Sequence, residues 1–232
     1  MIHRFARSRF SPLGLPLLPY YYPYSTTPIP TTTMPRGPND YVFFWKPEQE
    51  HGWASQWYES PFFEQAHPNS KHFLQNDGII IFQTAEHYMM YHKAVLFRDY
   101  LIADEILETG ARDTARVKQL GKQVKGFDEH IWNEKRWEIV KRGNVLKFDQ
   151  HEDLKRKLLE TGRDTALVEA SPFDRIWGIG KTKERALQSL NSTNEWGLNL
   201  LGRILEEVRT ELRERDAAAA VTSGSGGGDS HL

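Results

Sequence analysis

The stretch FQTAEHYMMYHKAVLF, residues 82–97, decides the fold, because it predicts a helix that is buried on nearly every face. Thr84 is a favourable N-cap, and apolar or aromatic side chains follow it at almost every helical position. Glu86, Met90 and Lys93 nevertheless fall along one stripe of this helix. The Cα atoms of the two charged residues are about 10 Å apart, which is too far for a direct helical ion pair. We therefore expect the two charges either to converge on a ligand above Met90 or to meet separate partners from other helices.

Length and composition predict one globular domain with tails. The chain has 232 residues, of which 39% are hydrophobic and 12% aromatic, enough for a sizeable core. Its 30 basic and 31 acidic residues give a net charge of −1, so no global field favours nucleic acid, although 122–127 and 135–142 could form a local basic patch. The absence of cysteine excludes disulfides, thiolate catalysis and Cys-based zinc sites. The same absence of cysteine favours an intracellular setting. No apolar run approaches the roughly 18 residues that span a bilayer, so we expect no membrane partner.

Both ends of the chain are predicted to be tails. Residues 1–40 are rich in Pro, Thr and Tyr, and no acidic residue precedes Asp40. The opening MIHRFARSRF could be a mitochondrial presequence, but the prolines that follow it favour a disordered tail. Residues 216–232 are rich in Ala, Gly and Ser and predict a second disordered tail. We therefore expect a folded domain at 41–215, in the cytoplasm or alternatively in mitochondria.

The pattern along that domain predicts a mainly α fold with a minor β portion. Residues 40–63 are aromatic and contain Gly and Pro, which indicates short strands or an ordered loop, and 77–84 adds a short strand before the Glu86 helix. The remainder is helical almost throughout, with helix ends expected at Gly110, Gly121 and Gly162. Asp113–Thr114 and Asp164–Thr165 each follow a Thr-Gly helix end, and each predicts the start of the next helix.

Several familiar patterns of catalytic and metal sites are absent from the sequence. His87 and His92 are five residues apart and point to different faces, and there is no H-E-x-x-H, so we expect no metal. There is no G-x-S-x-G nucleophile elbow. The glycines of WGIGKTK, residues 177–183, lack the spacing of a phosphate-binding P-loop. These absences exclude the hydrolase-triad and kinase-like classes, and we expect no cofactor.

Three stretches remain as candidate parts of a ligand site. Residues 50–62, EHGWASQWYESPF, place flat indole rings beside small and polar groups, as a purine or ribose shelf would require. Residues 175–180, RIWGIG, contain two glycines that let the backbone approach a ligand closely. Residues 196–202, WGLNLLG, place Asn199 at the start of the last helix. Ordinary core packing, a tight loop and a helix cap are the respective alternatives.

Taken in order, these pieces resemble the YbiA-like or NADAR family. The family pattern is G-x-x-S-N-F with a following P-F, T-x-E-H-x-x-x-x-x-K, a Trp before a helix ending in K-F, W-G-x-G, and G-x-N-x-L-G. This sequence matches it at Gly52, Ser55, Pro61, Phe62, Thr84, Glu86, His87, Lys93, Trp132, Lys147, Phe148, Trp177, Gly178, Gly180, Gly197, Asn199, Leu201 and Gly202. The matches cover nearly all of residues 43–212 and keep the order of the family.

Two departures from that pattern bear on the substrate. Gln56 and Trp57 stand where the family has Asn and Phe, so an amide contact with the ligand is either kept at a longer reach or lost. Ile179 replaces an acidic residue that some bacterial members carry between the two glycines. These differences put the identity of the substrate in doubt, while the activity of the family is still expected.

The resemblance implies a single-domain, mainly α fold that hydrolyses N-glycosidic bonds. Its substrates are phosphoribosylated aminopyrimidines of early riboflavin synthesis in bacterial members, and ADP-ribose attached to guanine in others. Breaking a ribose C1–N bond creates positive charge on the sugar, which a carboxylate stabilises, and the leaving nitrogen needs an acid. We assign Glu86 as acid/base or cation-stabilising group, and Lys93 either as a holder of a phosphate or ribose oxygen or as the nucleophile at C1.

Ten further residues, eight that match the family pattern and the two that depart from it at 56 and 57, are expected to bind the substrate. This predicted set is Gly52, Ser55, Gln56, Trp57, His87, Trp132, Trp177, Gly178, Gly180 and Asn199. The primary prediction is hydrolysis of an ADP-ribosylated guanine, in a small molecule, a nucleotide or a nucleic acid. The alternatives are a glycosidase acting on riboflavin intermediates and a module that binds ADP-ribose or NAD without cleaving it. A helical scaffold without a ligand is the least favoured interpretation, because it leaves Glu86 and Lys93 unexplained.

Overall fold

The computed structural model describes residues 37–66 and 78–224. The predicted presequence, almost all of the N-terminal tail and the end of the C-terminal tail lie outside the described residues. The strands are β1 (Tyr41–Phe44), β2 (Phe62–Gln65), β3 (Ile79–Phe82) and β4 (Ala166–Glu169). The helices are α1 (Ala85–Leu96), α2 (Tyr100–Glu108), α3 (Thr114–Gln123), α4 (Glu129–Asp149), α5 (Glu152–Glu160), α6 (Lys183–Leu187) and α7 (Leu200–Gly224). The prediction of a mainly α fold with a minor β portion is confirmed.

Helix α1 packs against α2, α3 and α4, so it lies at the centre of the helical part of the domain. Its start is fixed by Thr84, whose side-chain oxygen accepts the backbone N–H of His87 at 3.3 Å. Side chains on several faces of the helix are buried, Tyr88 and Met89 among them. The buried helix that the opening stretch predicts, together with its N-cap, is therefore confirmed.

Strands β1 and β4 form a parallel pair in which Phe44 lies opposite Glu169, and β4 also packs against α7. Leu167 and Val168 are both buried in this arrangement. The pair Asp164–Thr165 thus precedes a strand, and the predicted helix start at this point is wrong. A short apolar run is compatible with either a strand or a helix, and here a partner strand far earlier in the chain decides between them.

The first of the two Asp-Thr pairs does begin a helix, because the Asp113 side chain accepts the backbone N–H of Arg116 at 3.1 Å. Helix α3 continues through Gly121 to Gln123, so the predicted end at Gly121 is wrong. A Cβ atom at Gly121 would lie 2.0 Å from the sulfur of Met90. This glycine therefore permits α1 and α3 to approach each other and does not terminate the helix.

Helix α7 extends to Gly224, past residue 215 where the folded domain was expected to end. The run of alanines at 217–220 explains the extension, since alanine propagates a helix without needing to bury a side chain. The residues of this extension that precede 223 are exposed. None of the helices in the described ranges combines the length and the apolar character required to span a membrane.

Candidate functional site

Glu86 lies in the first turn of α1 and is only 4% exposed. Its backbone N–H donates to the carbonyl oxygen of Gln56 at 2.9 Å, and the indole N–H of Trp57 donates to its carboxyl group. Burial raises the pKa of Glu86 to about 7, against the opposing effects of the Lys118 cation and the Trp57 hydrogen bond, and the negative charge of Asp174 adds to the rise. Glu86 therefore carries a carboxyl group that changes its charge near neutral pH.

Lys147 of α4 forms hydrogen bonds with the loop that brings Trp57 to Glu86. The Lys147 side chain is fully buried, and its Nζ donates to the carbonyl oxygens of Trp53 at 2.9 Å and Ser55 at 3.0 Å. Burial lowers the pKa of Lys147 to about 7. The Ser55 hydroxyl in turn accepts the backbone N–H of Trp57 at 3.3 Å. Ser55, predicted to bind substrate, thus shapes the loop that carries the indole ring.

Gly52 and Gln56, two further residues of the predicted shelf, also contact other parts of the protein. A Cβ atom at Gly52 would lie 2.1 Å from the carbonyl oxygen of Pro47, so only glycine fits this turn. The Oε1 atom of Gln56 accepts Asn144 Nδ2 at 3.1 Å, which directs the amide towards α4. Its Nε2 atom is buried and has no hydrogen-bond partner among the described residues. Of the predicted shelf, Trp57 is the residue whose side chain contacts the Glu86 carboxyl group, whereas Gln56 contacts the Glu86 backbone.

A second buried carboxyl group lies close to Glu86, at the carboxyl end of β4. Burial raises the pKa of Glu169 to about 8, with the charges of Asp174 and Glu86 adding to the rise and Lys118 opposing it. Asp174 lies in the loop after β4, where its Oδ1 accepts two consecutive backbone N–H groups, those of Ile176 and Trp177, each at 2.8 Å. Glu86, Glu169 and Asp174 thus belong to one electrostatic cluster.

The sequence analysis missed Glu169 and Asp174. Glu169 could have been identified as a carboxylate at the end of a buried strand. The incorrect prediction of a helix start at Asp164 conceals that strand. Within the described residues, no group of three or more His, Asp or Glu side chains has the arrangement of a metal site.

The predicted glycine and asparagine positions hold the end of β4 in place. Asn199, at φ 49°, accepts the backbone N–H of Glu169 at 3.0 Å through Oδ1 and donates to the Leu167 carbonyl at 2.8 Å through Nδ2. A Cβ atom at Gly178 would lie 2.7 Å from the carbonyl oxygen of Glu169, and Gly180 has φ 68°. Asn199 and Gly178 thus contact the Glu169 backbone, whereas the sequence analysis expected them to contact the ligand.

Lys93 meets partners different from those of Glu86. Its Nζ donates to the Gly121 carbonyl at 2.7 Å and lies 4.1 Å from the centroid of the Phe127 ring and 5.7 Å from that of Trp132. Burial lowers the pKa of Lys93. The sulfur of Met90 packs against Gly121, which places α3 above Met90. The sequence left open whether Glu86 and Lys93 converge on a ligand or meet separate protein partners. In the structure each charge has its own protein partners.

Two other residues of the predicted set are accounted for by protein contacts. Both ring nitrogens of buried His87 face protein atoms, Nδ1 the Thr84 hydroxyl at 2.8 Å and Nε2 the Thr109 carbonyl at 3.1 Å. This ring therefore secures the start of α1 and has no nitrogen left for a substrate. Trp177 is partly exposed, and the guanidinium of Arg136 lies 5.9 Å from its ring centroid.

A groove lined by Trp57, the indole partner of Glu86, supplies a positively charged surface to which Lys122 of the predicted basic patch and Lys118, which the sequence analysis missed, both contribute. Its volume is about 310 Å³, and its lining residues are Trp57, Thr114, Ala115, Lys118, Gln119 and Lys122. Lys118 and Lys122 are one helical turn apart on the exposed face of α3, and Lys118 Nζ lies 5.8 Å from the Trp57 ring centroid. An aromatic wall with two nearby cations suits a ligand that combines a flat ring with phosphates.

Comparison with known proteins adds four similarities. The NADAR domain family model matches residues 43–213, which confirms the family expected from the motifs. An N-glycosidase of Acanthamoeba polyphaga mimivirus is 41% identical over 173 residues, which cover 74% of this chain and 95% of that protein. A riboflavin biosynthesis protein of Vibrio vulnificus is 29% identical over 175 residues, or 75% of this chain and 39% of that protein. The NMR structure of Escherichia coli YbiA has a TM-score of 0.53 and 21% identity, covering 76% of this chain and 86% of that one, which shows a shared fold.

Proposed function

The chain belongs to the NADAR domain family, and on that premise we propose that it is an N-glycosidase that hydrolyses the ribose C1–N bond of an ADP-ribosylated guanine. The N-glycosidase named among its relatives aligns over nearly its whole length and supports an enzyme of the glycosylase type. The observation that carries the proposal is the position of Glu86, a buried carboxyl group that titrates near neutral pH and whose neighbours Trp57 and Lys118 line a groove.

Glu86 acts as the anion that stabilises the ribose cation. Breaking the C1–N bond leaves positive charge on the ring carbon and oxygen of the sugar, and a carboxylate in a water-poor site stabilises that charge more strongly than one in water. The Trp57 hydrogen bond and the Lys118 cation keep part of the Glu86 population ionised, although burial opposes ionisation. The activity is therefore expected to fall as the pH drops below about 7 and Glu86 becomes protonated.

Lys93 has two candidate roles in this reaction. It holds a phosphate or ribose oxygen through its ammonium group, or it attacks C1 through its neutral amine. Its lowered pKa increases the neutral fraction that the second role requires. In either role the Nζ atom has to exchange its hydrogen bond to the Gly121 carbonyl for the substrate.

The groove on α3 favours a substrate with a diphosphate. Lys118 and Lys122 present two cations one turn apart, a spacing suited to the two phosphates of ADP-ribose, and Trp57 offers a ring face beside them. A partner nucleic acid that carries the modified guanine would extend past this groove towards Lys125, which is also exposed. The partner is therefore a nucleotide or a nucleic acid that carries a ribose N-glycoside.

The second candidate function is hydrolysis of a phosphoribosyl aminopyrimidine. Its support is the name of the Vibrio vulnificus relative, of which this chain spans 39%, so the comparison concerns one part of that larger protein. Such a substrate has one phosphate, and it would use a single lysine of the groove. The same carboxyl chemistry at Glu86 would apply, because the bond that breaks is again a ribose C1–N bond.

The test compares three forms of the full chain: the parent, Glu86→Gln, and Glu138→Gln, a matched change at an exposed position of α4. Each is incubated with ADP-ribosylated guanosine and, separately, with the phosphoribosyl aminopyrimidine, and products are separated by chromatography. We expect release of ADP-ribose from the first substrate by the parent and Glu138→Gln, and a rate at least about 100-fold lower for folded Glu86→Gln.

The outcomes distinguish the candidates. Cleavage of the aminopyrimidine alone would replace the proposal with the second candidate. Binding of ADP-ribose in calorimetry without cleavage of either substrate would indicate a binding module. Parent activity in a folded Glu86→Gln variant would show that the carboxyl assignment is wrong.

A further inference from the structure

The carboxyl group of Glu169 differs from its neighbours in how its oxygens are satisfied. Glu169 is partly exposed as a residue, yet its Oε2 is shielded from solvent and has no hydrogen-bond partner among the described residues. Glu86 receives the Trp57 indole N–H, and Asp174 receives two backbone N–H groups. A buried carboxylate oxygen without a donor is costly, whereas a carboxylic acid carries its own proton. Glu169 is therefore the member of this cluster best suited to hold a proton.

The backbone of Glu169 is fixed from two sides, so this placement is built into the fold. The Asn199 side chain accepts its N–H at 3.0 Å, and its carbonyl accepts the N–H of Ile179 at 3.0 Å. The charged groups that act on it come from three elements: Glu86 on α1, Lys118 on α3, and Asp174 in the loop after β4. Burial and the two neighbouring carboxyl groups raise the pKa of Glu169 to about 8, which leaves it protonated at neutral pH.

We propose that Glu169 is the general acid that protonates the departing guanine nitrogen, while Glu86 remains the anion beside the ribose cation. This inference rests on the function proposed above. As the C1–N bond breaks, its electron pair goes to the guanine nitrogen, which takes the proton from Glu169. Water then forms the new C1–O bond, and the proton that it loses returns to the Glu169 carboxylate. The sum is ADP-ribosyl guanine plus water giving ADP-ribose plus guanine.

A change of leaving group distinguishes a general acid from a structural carboxyl group. ADP-ribose that carries 4-nitrophenol at C1 departs as a stabilised phenolate and needs no proton, unlike guanine in ADP-ribosylated guanosine. We expect Glu169→Gln to slow cleavage of the guanosine substrate by about 100-fold to 10,000-fold and to change nitrophenol release by less than about tenfold. Glu86→Gln is expected to slow both substrates, because both reactions pass through the ribose cation.

The pH profile of the parent protein supplies a readout that does not depend on a variant. With ADP-ribosylated guanosine, kcat should fall above about pH 8, as Glu169 loses its proton. With the nitrophenyl substrate the alkaline fall should be absent in the same protein. Glu169→Asp, which retains a carboxyl group, should keep an alkaline fall, and Glu169→Gln should lose it.

Three results would overturn the inference. One is an equal loss on both substrates in folded Glu169→Gln. Another is an alkaline fall that is the same for both substrates in the parent protein. The third is parent activity in Glu169→Gln. Failure of the parent protein to cleave either substrate would instead refute the proposed function, and this inference with it.

Discussion

The buried ammonium group of Lys147 leads to a quantitative prediction about stability. Its pKa falls from 10.5 to about 7 on folding, because the side chain is removed from water and contacts carbonyl oxygens of the loop. Between these two pH values the unfolded chain binds more protons at this residue than the folded one, so stability rises with pH. Over pH 7.0 to 9.5, linkage for one such group gives a gain of about 3 kcal/mol in the free energy of unfolding.

The perturbation that isolates this gain is Lys147→Met, which keeps the length of the side chain and removes the titrating group. Urea unfolding of the parent and the variant at pH 7.0 and 9.5 gives four free energies of unfolding. The variant loses the hydrogen bonds to Trp53 and Ser55 at both pH values, so that loss cancels. The advantage of the parent over the variant should therefore increase by about 3 kcal/mol at the higher pH. An advantage independent of pH would refute the idea that folding makes Lys147 neutral.

Other predictions follow from close contacts and charges. Gly202→Ala should cost about 3 kcal/mol or more in the free energy of unfolding by urea, because its Cβ would lie 1.9 Å from a β4 carbonyl oxygen. Asn199→Ala should cost about 1 kcal/mol more than Asn199→Gly in the same assay, since both lose two hydrogen bonds but only alanine is strained at φ 49°. Lys118→Gln should move the acid limb of the kcat profile to higher pH, because the Lys118 cation lowers the pKa of Glu86. The shift should be less than about one pH unit, since solvent screens this cation. Lys122→Gln is the matched control, and it should weaken substrate binding without that shift in pH.

The part of the fold predictable from sequence is the part whose signals are local. The α1 helix has its cap and its apolar faces within residues 82–97, and both were predicted correctly. The strand β4 has only four residues, and its identity depends on pairing with β1 and packing on α7. This dependence on distant partners explains why an Asp-Thr pair correctly predicted a helix start at 113 and wrongly predicted one at 164.

The candidate site likewise contains one residue that was predictable from local sequence and others that were not. Glu86 was predictable, because a charge on a buried helix requires an explanation within a short stretch. Glu169, Asp174 and Lys118 come from other segments, and only the folded chain brings them to Glu86. Asn199 was recognised as a significant residue, but its role in bonding β4 backbone groups depends on a strand that the sequence pattern did not reveal.

Two polar residues of the family pattern bond backbone groups of the protein. Lys147 donates to two carbonyls of the loop before Trp57, and Asn199 bonds the Leu167 carbonyl and the Glu169 N–H of β4. A carboxyl group that must keep an unusual proton equilibrium needs a fixed environment, because a small movement towards water would return its pKa to the ordinary range. Lys147 and Asn199 therefore stabilise the two segments that bury Glu86 and Glu169, on which the proposed chemistry depends.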